Sequence, residues 1–175
     1  MLVLVAILVL AIAALLVFAS TKPAVFSVRR GTVIRATPER VFAYVDDFRR
    51  WAEWSPWETR DPAMQRSLGG ASSGAGAIYE WNGNKDVGQG RMEIVESTPS
   101  SRVAISLEFI KPFEAHNMAT FTFAADGDTT VVDWVMHGPN RFVSKVMQVF
   151  MDMDRMIGKD FEAGLAKLKA AAEAA

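Results

Sequence analysis

The feature that most constrains the fold is an apolar stripe near the C-terminus. Between Pro139 and Ala171, apolar residues recur every three or four positions, which is the spacing of one face of an α-helix. At 1.5 Å per residue the striped part would be about 40 Å long, so it needs a covering surface of similar length. Only the strand-like segments that precede it offer one, and Pro139 suits the first turn of the predicted helix. The stripe consists of Phe142, Val146, Val149, Met153, Ile157, Phe161, Leu165 and Leu168.

Two glycines interrupt the predicted helix. Gly158 and Gly164 each cost about 1 kcal/mol relative to alanine in a helix. They either thin the helix where it crosses another element closely or allow it to bend. The first half of the stripe is rich in Met and Phe, which adapt to irregular surfaces. This face therefore either packs as ordinary core or also closes a cavity over the sheet.

An uncharged run occupies residues 2–19. As a helix it would be about 27 Å long, nearly the thickness of a bilayer core of about 30 Å. Only the terminal amine precedes the run, whereas a cleaved signal peptide normally begins with basic residues. We therefore expect a transmembrane anchor at residues 1–21 and a separate domain at residues 22–175, with a cleaved signal peptide as the alternative.

Basic residues only follow the apolar run, at Lys22, Arg29, Arg30 and Arg35. The positive-inside rule then predicts a single-pass membrane protein whose soluble domain is cytoplasmic. The net charge of −1 does not suggest a nucleic-acid partner. The absence of cysteine excludes a disulfide framework and thiol chemistry.

The middle of the chain has the pattern of strands joined by short turns. Val25–Ala36 predicts a first strand, Thr37-Pro38 a helix start, and Met64–Leu68 a short strand. Close spacing of the later segments indicates antiparallel neighbours. The predicted class is α+β, with one curved antiparallel sheet of about six or seven strands wrapped around the long C-terminal helix. The later segments are Ala77–Trp81, Gly88–Val95, Arg102–Ile110, Glu114–Ala124 and Thr129–His137.

Three of the five tryptophans, Trp51, Trp54 and Trp57, fall within seven residues. So much aromatic surface is costly to expose. The cluster either packs beneath the first short helix or forms the rim or lid of a pocket.

Alternation along the strands sorts their side chains into two faces. The inner faces are almost purely apolar, and their polar groups are Asn117, the Tyr79 hydroxyl and the indole N–H groups of Trp81 and Trp134. Every Asp, Glu, Arg and His of the five later segments falls on the other face. Because proton transfer needs a titratable group aimed at the substrate, we assign no catalytic residue. The two histidines lack clustered ligands, so we expect no metal site and no cofactor.

Several short motifs occur in order along residues 25–170. They are Ile34–Phe42, Trp51-x-x-Trp54-Ser-Pro-Trp57, Gly76–Trp81, Val87–Gly90 with Met92–Ile94, Leu107–Phe113 and Thr130–Gly138. In this order they resemble the SRPBCC superfamily, the START-like helix-grip proteins that include polyketide cyclases/dehydrases and lipid-transport domains. The resemblance implies a sheet wrapped around a long C-terminal helix, with a deep hydrophobic cavity between them. It does not assign a reaction, because the superfamily contains lipid carriers, sensors, cyclases and oxygenase subunits.

The apolar inner face favours a binding module, tethered to the membrane, for a hydrophobic small molecule such as a lipid or polyketide-like compound. One alternative is a cyclase/dehydratase-type enzyme that uses hydrogen-bond donors in the cavity. Another is a non-catalytic interaction scaffold whose cavity is filled by its own side chains. The candidate ligand-binding residues are Trp54, Trp57, Tyr79, Trp81, Phe109, Asn117, Phe121, Trp134, Met136 and Met153.

Overall fold

The computed structural model describes residues 1–174, so the predicted domain end at Ala175 lies outside the described residues. The helices are α1 (Leu2–Ser20), α2 (Pro38–Val45), α3 (Phe142–Phe150) and α4 (Met153–Ala174), with a 3₁₀ helix at Phe48–Glu53. The strands are β1 (Val25–Ile34), β2 (Gln65–Gly70), β3 (Ala77–Asn82), β4 (Gln89–Thr98), β5 (Arg102–Lys111), β6 (Ala115–Asp126) and β7 (Thr129–Pro139). The architecture confirms the predicted α+β helix-grip fold.

The seven strands form one antiparallel sheet in the order β1-β7-β6-β5-β4-β3-β2. The strands from β2 to β7 follow one another as a meander, as their short turns predict. The first strand, β1, lies at one edge and pairs along its length with the last strand, β7. In that pairing Val25 lies opposite Pro139 and Ile34 lies opposite Thr130.

The single terminal helix predicted from Pro139 to Ala171 is wrong in its first half. β7 continues through Pro139, and the helical part is divided between α3 and α4. The division occurs because Met151 is extended, at φ −130° and ψ 129°. Asp152 then starts α4, since its Oδ1 accepts a hydrogen bond from the amide of Arg155 at 3.0 Å, as a helix-capping aspartate does.

The second helix, α4, supplies the packed half of the predicted stripe. Phe161, Leu165 and Leu168 are buried, and α4 lies against β1, α2 and the 3₁₀ helix. Its two glycines allow close approach. Gly158 makes room for the guanidinium of Arg30, and a Cβ at Gly164 would lie 3.0 Å from Cδ of Pro56.

The tryptophan cluster divides between the two roles predicted for it. The indole N–H of Trp51 donates to the Val45 carbonyl at 3.0 Å, and that of Trp54 donates to the Tyr44 carbonyl at 2.9 Å. These bonds draw both rings beneath α2, and Trp54 is fully buried there. Trp51 and Trp57 both line an internal cavity, and Trp54 does not.

Within residues 1–174, α1 is the one helix long and apolar enough to cross a membrane, as judged by length and composition. Its side chains are exposed except at Leu15, which is half-buried, and Ala19, which is buried. The helix packs against α3. Length and composition leave both a membrane span and a signal sequence as interpretations of α1.

Candidate functional site

A cavity of about 390 Å³ lies between the concave face of the sheet and the C-terminal helices. This volume lies in the range of about 300–1,000 Å³ that is usual for small-molecule sites. Strands β3 to β7 supply one wall, and α3 and α4 supply the other. The segment that follows the 3₁₀ helix closes one end. Because alternate residues of a strand share a face, the apolar side chains of the sheet converge on this space.

Eight of the ten candidate ligand-binding residues line the cavity. They are Trp57, Tyr79, Trp81, Phe109, Asn117, Trp134, Met136 and Met153. Trp54 and Phe121 lie in the packed core instead, and both are fully buried. Their rings contact Trp134, with centroids 5.7 Å and 4.7 Å from its own. The two residues therefore support the cavity wall and do not form its surface.

Trp134 forms the centre of the cavity wall. Its ring stacks on Phe161 of α4, with the ring planes 5° apart and the centroids 3.8 Å apart. Phe121 stacks on it as well, and Trp57 meets it edge to face at 5.8 Å. Such aromatic contacts add to the stability that buried area supplies. They join sheet, helix and aromatic loop at one residue.

Two polar atoms of the cavity lining have no hydrogen-bond partner within residues 1–174. They are Oδ1 of Asn117 and Nε1 of Trp134, and both are buried. A buried polar atom without a partner is costly, at about 1–3 kcal/mol, and uncommon in folded proteins. Both residues line the cavity, but neither atom reaches its surface, so a bound molecule would meet this acceptor and this donor only after a small movement of the two side chains.

A carboxylate also faces the cavity, at Glu58. The Tyr79 hydroxyl donates to its Oε1 at 2.5 Å, and Nε of Arg66 donates to its Oε2 at 2.6 Å. The side chain of Glu58 is only 8% exposed. Burial, together with the hydrogen bond to Glu58, raises the pKa of Tyr79 above its ordinary value. Because Tyr79 donates its proton to Glu58, a ligand meets this hydroxyl as an acceptor.

Strand alternation correctly predicts that the charged residues of the strands lie outside the cavity. It makes no prediction for Glu58, which is not in a strand. Glu80, Arg91, Glu108 and His116 all lie outside the cavity lining. The register shifts in β4, between Gln89 and Gly90 and between Ile94 and Glu96, bring none of them inward. Glu58 lies in a turn, where its amide donates to the Ser55 carbonyl at 3.4 Å, and a turn has no alternation to analyse. The signal available was its place directly after Trp57.

Two further carboxylates, Asp86 and Asp160, line the cavity from loop and helix positions. Asp160 forms an ion pair with Arg60, which joins α4 to the loop after Trp57. Nearby, Oδ2 of Asp61 accepts from the amide of Asn84 at 2.7 Å. The end of the cavity beside Glu58 is thus closed by polar contacts, whereas the rest of the lining is mostly apolar.

Metal-binding groups are not assembled at the site. Within residues 1–174, no three His, Cys, Asp or Glu side chains lie close enough together to hold an ion. The polar groups that the lining residues carry are the unpartnered donor of Trp134, the unpartnered acceptor of Asn117 and the carboxylates of Glu58, Asp86 and Asp160.

The sequence matches the family model described as polyketide cyclase / dehydrase and lipid transport over residues 25–173. This range spans β1 to α4 and thus the whole sheet, and it begins after α1. No curated protein is significantly similar to the chain.

Many solved structures share the fold. Protein CV1439 from Chromobacterium violaceum has a TM-score of 0.61 at 17% identity, covering 84% of this chain and 96% of that one. The Aha1 dimer from Colwellia psychrerythraea has a TM-score of 0.56 at 15% identity, covering 85% and 96%. The di-domain ARO/CYC BexL from the BE-7585A biosynthetic pathway has a TM-score of 0.63 at 17% identity, covering 89% and 52%. At these identities the likeness concerns the fold alone.

Proposed function

Because the chain belongs to the polyketide cyclase/dehydrase and lipid transport family, we propose that it is a membrane-tethered protein that holds one hydrophobic small molecule between its sheet and α4. The ligand is a lipid or a polyketide-like compound. Residues 1–21 form the anchor and residues 22–175 form the binding domain. The basic residues that follow α1 support a cytoplasmic location for this domain.

The observation that carries the proposal is the combination of an apolar cavity with the two unpartnered polar atoms of Asn117 and Trp134. Ligand pockets are typically apolar with a few polar groups that orient the bound molecule. A molecule with a hydroxyl or carbonyl group on an apolar body would meet both requirements. It would also fill a volume that the protein's own side chains leave open, which argues against the interaction scaffold.

The test is extraction of the purified full-length protein and mass spectrometry of what it releases. We expect a co-purified apolar compound and a higher melting temperature when that compound is added back. Repeated absence of any released species, with no melting shift across a panel of fatty acids and phospholipids, would contradict the proposal.

A matched pair of variants in β6 controls this experiment. Ala119 lines the cavity, so Ala119→Phe fills part of it and should abolish the co-purified compound. Ala124 lies on the same strand but is exposed on the outer side, so Ala124→Phe should leave the compound in place. Equal loss in both variants would mean that the compound is bound outside the cavity.

A second candidate function, a cyclase/dehydratase-type reaction, is favoured by Glu58. Its carboxylate could accept a proton from a bound molecule, and among the three carboxylates of the lining it is the one held in place by Tyr79 and Arg66. Under this alternative Glu58→Gln retains the co-purified compound but changes its mass, because an unreacted precursor accumulates. Under the binding function the same compound is recovered from both proteins.

A further inference from the structure

The short helix α3 presents its apolar side outward. Phe142, Val143, Met147 and Phe150 are between 39% and 73% exposed, whereas Ser144 and Gln148 line the cavity. At 100° per residue these two sets occupy different sides of the helix. A helix at the surface of a water-soluble domain has the opposite arrangement, with its apolar side against the core. Within α3 the stripe predicted to pack on the sheet is only partly covered, because Phe142 is exposed and Val146 and Val149 are half-buried.

The position of α3 relative to α1 indicates what covers this apolar side. The two helices pack together, and the residues of α1 that lose exposure are Leu15 and Ala19. If α1 spans a bilayer with Ser20 at the surface, Leu15 lies about 7.5 Å below that surface. A helix lying in the membrane interface buries its apolar side about 5–10 Å deep. The depth of Leu15, which the contact with α1 would give to α3, falls within this range.

The charged residues of α3 fit the same placement. Arg141 and Lys145 lie on the polar side of the helix, where long basic side chains can reach lipid headgroups. No acidic residue lies in Phe142–Phe150. Charge thus favours a lipid surface over contact with a basic protein.

The cavity reaches the surface beneath α3. Phe26, Gln148 and Met153 line both the cavity and a more open groove that continues to Lys22 and Pro23 at the end of α1. Gln148 is held by Asn140, with Nε2 of Gln148 donating to Oδ1 of Asn140 at 2.9 Å. Nδ2 of Asn140 donates in turn to the Pro23 carbonyl at 3.0 Å. The side-chain pair Gln148–Asn140 therefore connects α3, which lies over the cavity, to Pro23 at the end of α1.

We propose that α3 lies in the surface of the bilayer that holds α1, with its apolar side in lipid, and that apolar molecules pass between bilayer and cavity beneath it. The partner of this surface is the lipid bilayer itself. The passage of a ligand rests on the proposed binding function, whereas the membrane contact of α3 rests on the proposed anchoring by α1 and not on ligand binding.

Depth measurement with single cysteines tests the membrane contact, since the chain has none of its own. Val143→Cys and Phe150→Cys report on α3, and Leu68→Cys and Val95→Cys are comparably exposed controls on the sheet. Each full-length variant is labelled with an NBD fluorophore and placed in phospholipid nanodiscs at one chain per disc. We expect blue-shifted emission at 143 and 150, and at least twofold quenching by lipids that carry an acyl-chain nitroxide. Labels at 143 and 150 that behave like the two controls would overturn the proposal. So would shielding that arises only when two chains share a disc, because a second copy would then be the partner.

Transfer of a pyrene-labelled fatty acid tests the passage. Phe150→Glu should slow transfer from vesicles to the reconstituted protein about tenfold or more, with affinity in detergent changed by less than about twofold because α3 then has no bilayer to enter. Val95→Glu, on the sheet, should change neither. Unchanged transfer in Phe150→Glu would overturn the passage beneath α3. If the wild-type protein binds no probe, the proposed function fails, and the depth measurement still decides where α3 lies.

Discussion

The Tyr79 hydroxyl and the Glu58 carboxylate are joined by a 2.5 Å hydrogen bond across the end of the cavity. Tyr79 is positioned by β3 and Glu58 by the turn after Trp57, so the bond connects sheet and aromatic loop. Arg66 of β2 completes the cluster at 2.6 Å. This cluster holds the Glu58 side chain on the cavity wall. The Tyr79 hydroxyl donates its hydrogen bond to Glu58 and so cannot donate it to a ligand.

The raised pKa of Tyr79 can be measured directly, because the chain has only two tyrosines. In Tyr44→Phe the absorbance at 295 nm reports Tyr79 alone, and we expect no ionisation until the pH is well above 10. The pKa is raised by burial first and then by the hydrogen bond to Glu58. Since the folded-state pKa exceeds the unfolded value of about 10, this contribution to stability is complete below about pH 10 and is lost as the pH rises through the folded pKa. Adding Glu58→Gln should move the titration to lower pH, and an unchanged midpoint would contradict this role of Glu58.

Removal of Arg66 should destabilise the protein, because it leaves the buried Glu58 carboxylate without its ion-pair partner. Arg66→Met is expected to lower the free energy of unfolding by about 2 kcal/mol, because it deletes a hydrogen bond to a charged group that is nearly excluded from water. Urea denaturation of the full-length protein in detergent measures this. In Glu58→Gln/Arg66→Met the loss should be smaller than the sum of the two single losses. Strictly additive losses would mean that the two side chains do not stabilise each other.

Asn117→Leu should make the protein more stable but weaken its ligand binding. Leucine is similar in size to asparagine and removes the buried Oδ1 that has no partner within residues 1–174. We expect the empty protein to gain about 1 kcal/mol and to retain less of its co-purified compound. Thermal unfolding and mass spectrometry test the two parts. A less stable variant would show that the Asn117 side chain is satisfied in the native protein.

The two glycines of α4 should respond differently to alanine. At Gly158 a methyl group would meet the flexible guanidinium of Arg30, which can swing away from its exposed ion pairs with Asp154 and Glu162. The gain in helix propensity offsets that loss, so Gly158→Ala should change stability by less than about 1 kcal/mol. At Gly164 the methyl would lie 3.0 Å from Cδ of Pro56 and 3.1 Å from Cζ3 of Trp134. Both are ring atoms, so Gly164→Ala should destabilise by about 1–3 kcal/mol. Equal effects of the two substitutions in urea denaturation would refute the difference in packing.

The sheet and its two faces were predictable because strand alternation and short turns are local signals. The inward positions of Tyr79, Asn117 and Trp134 follow from that alternation alone. The division between α3 and α4 was not predictable in this way, because the stripe keeps its helical spacing across Met151 and Asp152. The break comes from the extended backbone at Met151, which the spacing of apolar residues does not encode.

The candidate site was predictable where strands form it and not where loops do. Trp54 follows the aromatic pattern of the loop, but its indole N–H donates to the Tyr44 carbonyl and its ring is fully buried in the core, outside the cavity lining. Glu58 and Arg66 come together across eight residues. No periodic pattern relates a turn residue to a strand residue at that separation.

The edge position of β1 has a consequence for how the chain is made. Its one neighbour in the sheet is β7, with Val25 opposite Pro139. When β1 leaves the ribosome its partner has not yet been translated, so this edge of the sheet assembles only after β7 has been made. The loop that must close is long, and pairings of this kind form slowly. α1, in contrast, is complete within the first twenty residues. Its insertion into a membrane would then precede folding of the domain, which would assemble beside that membrane.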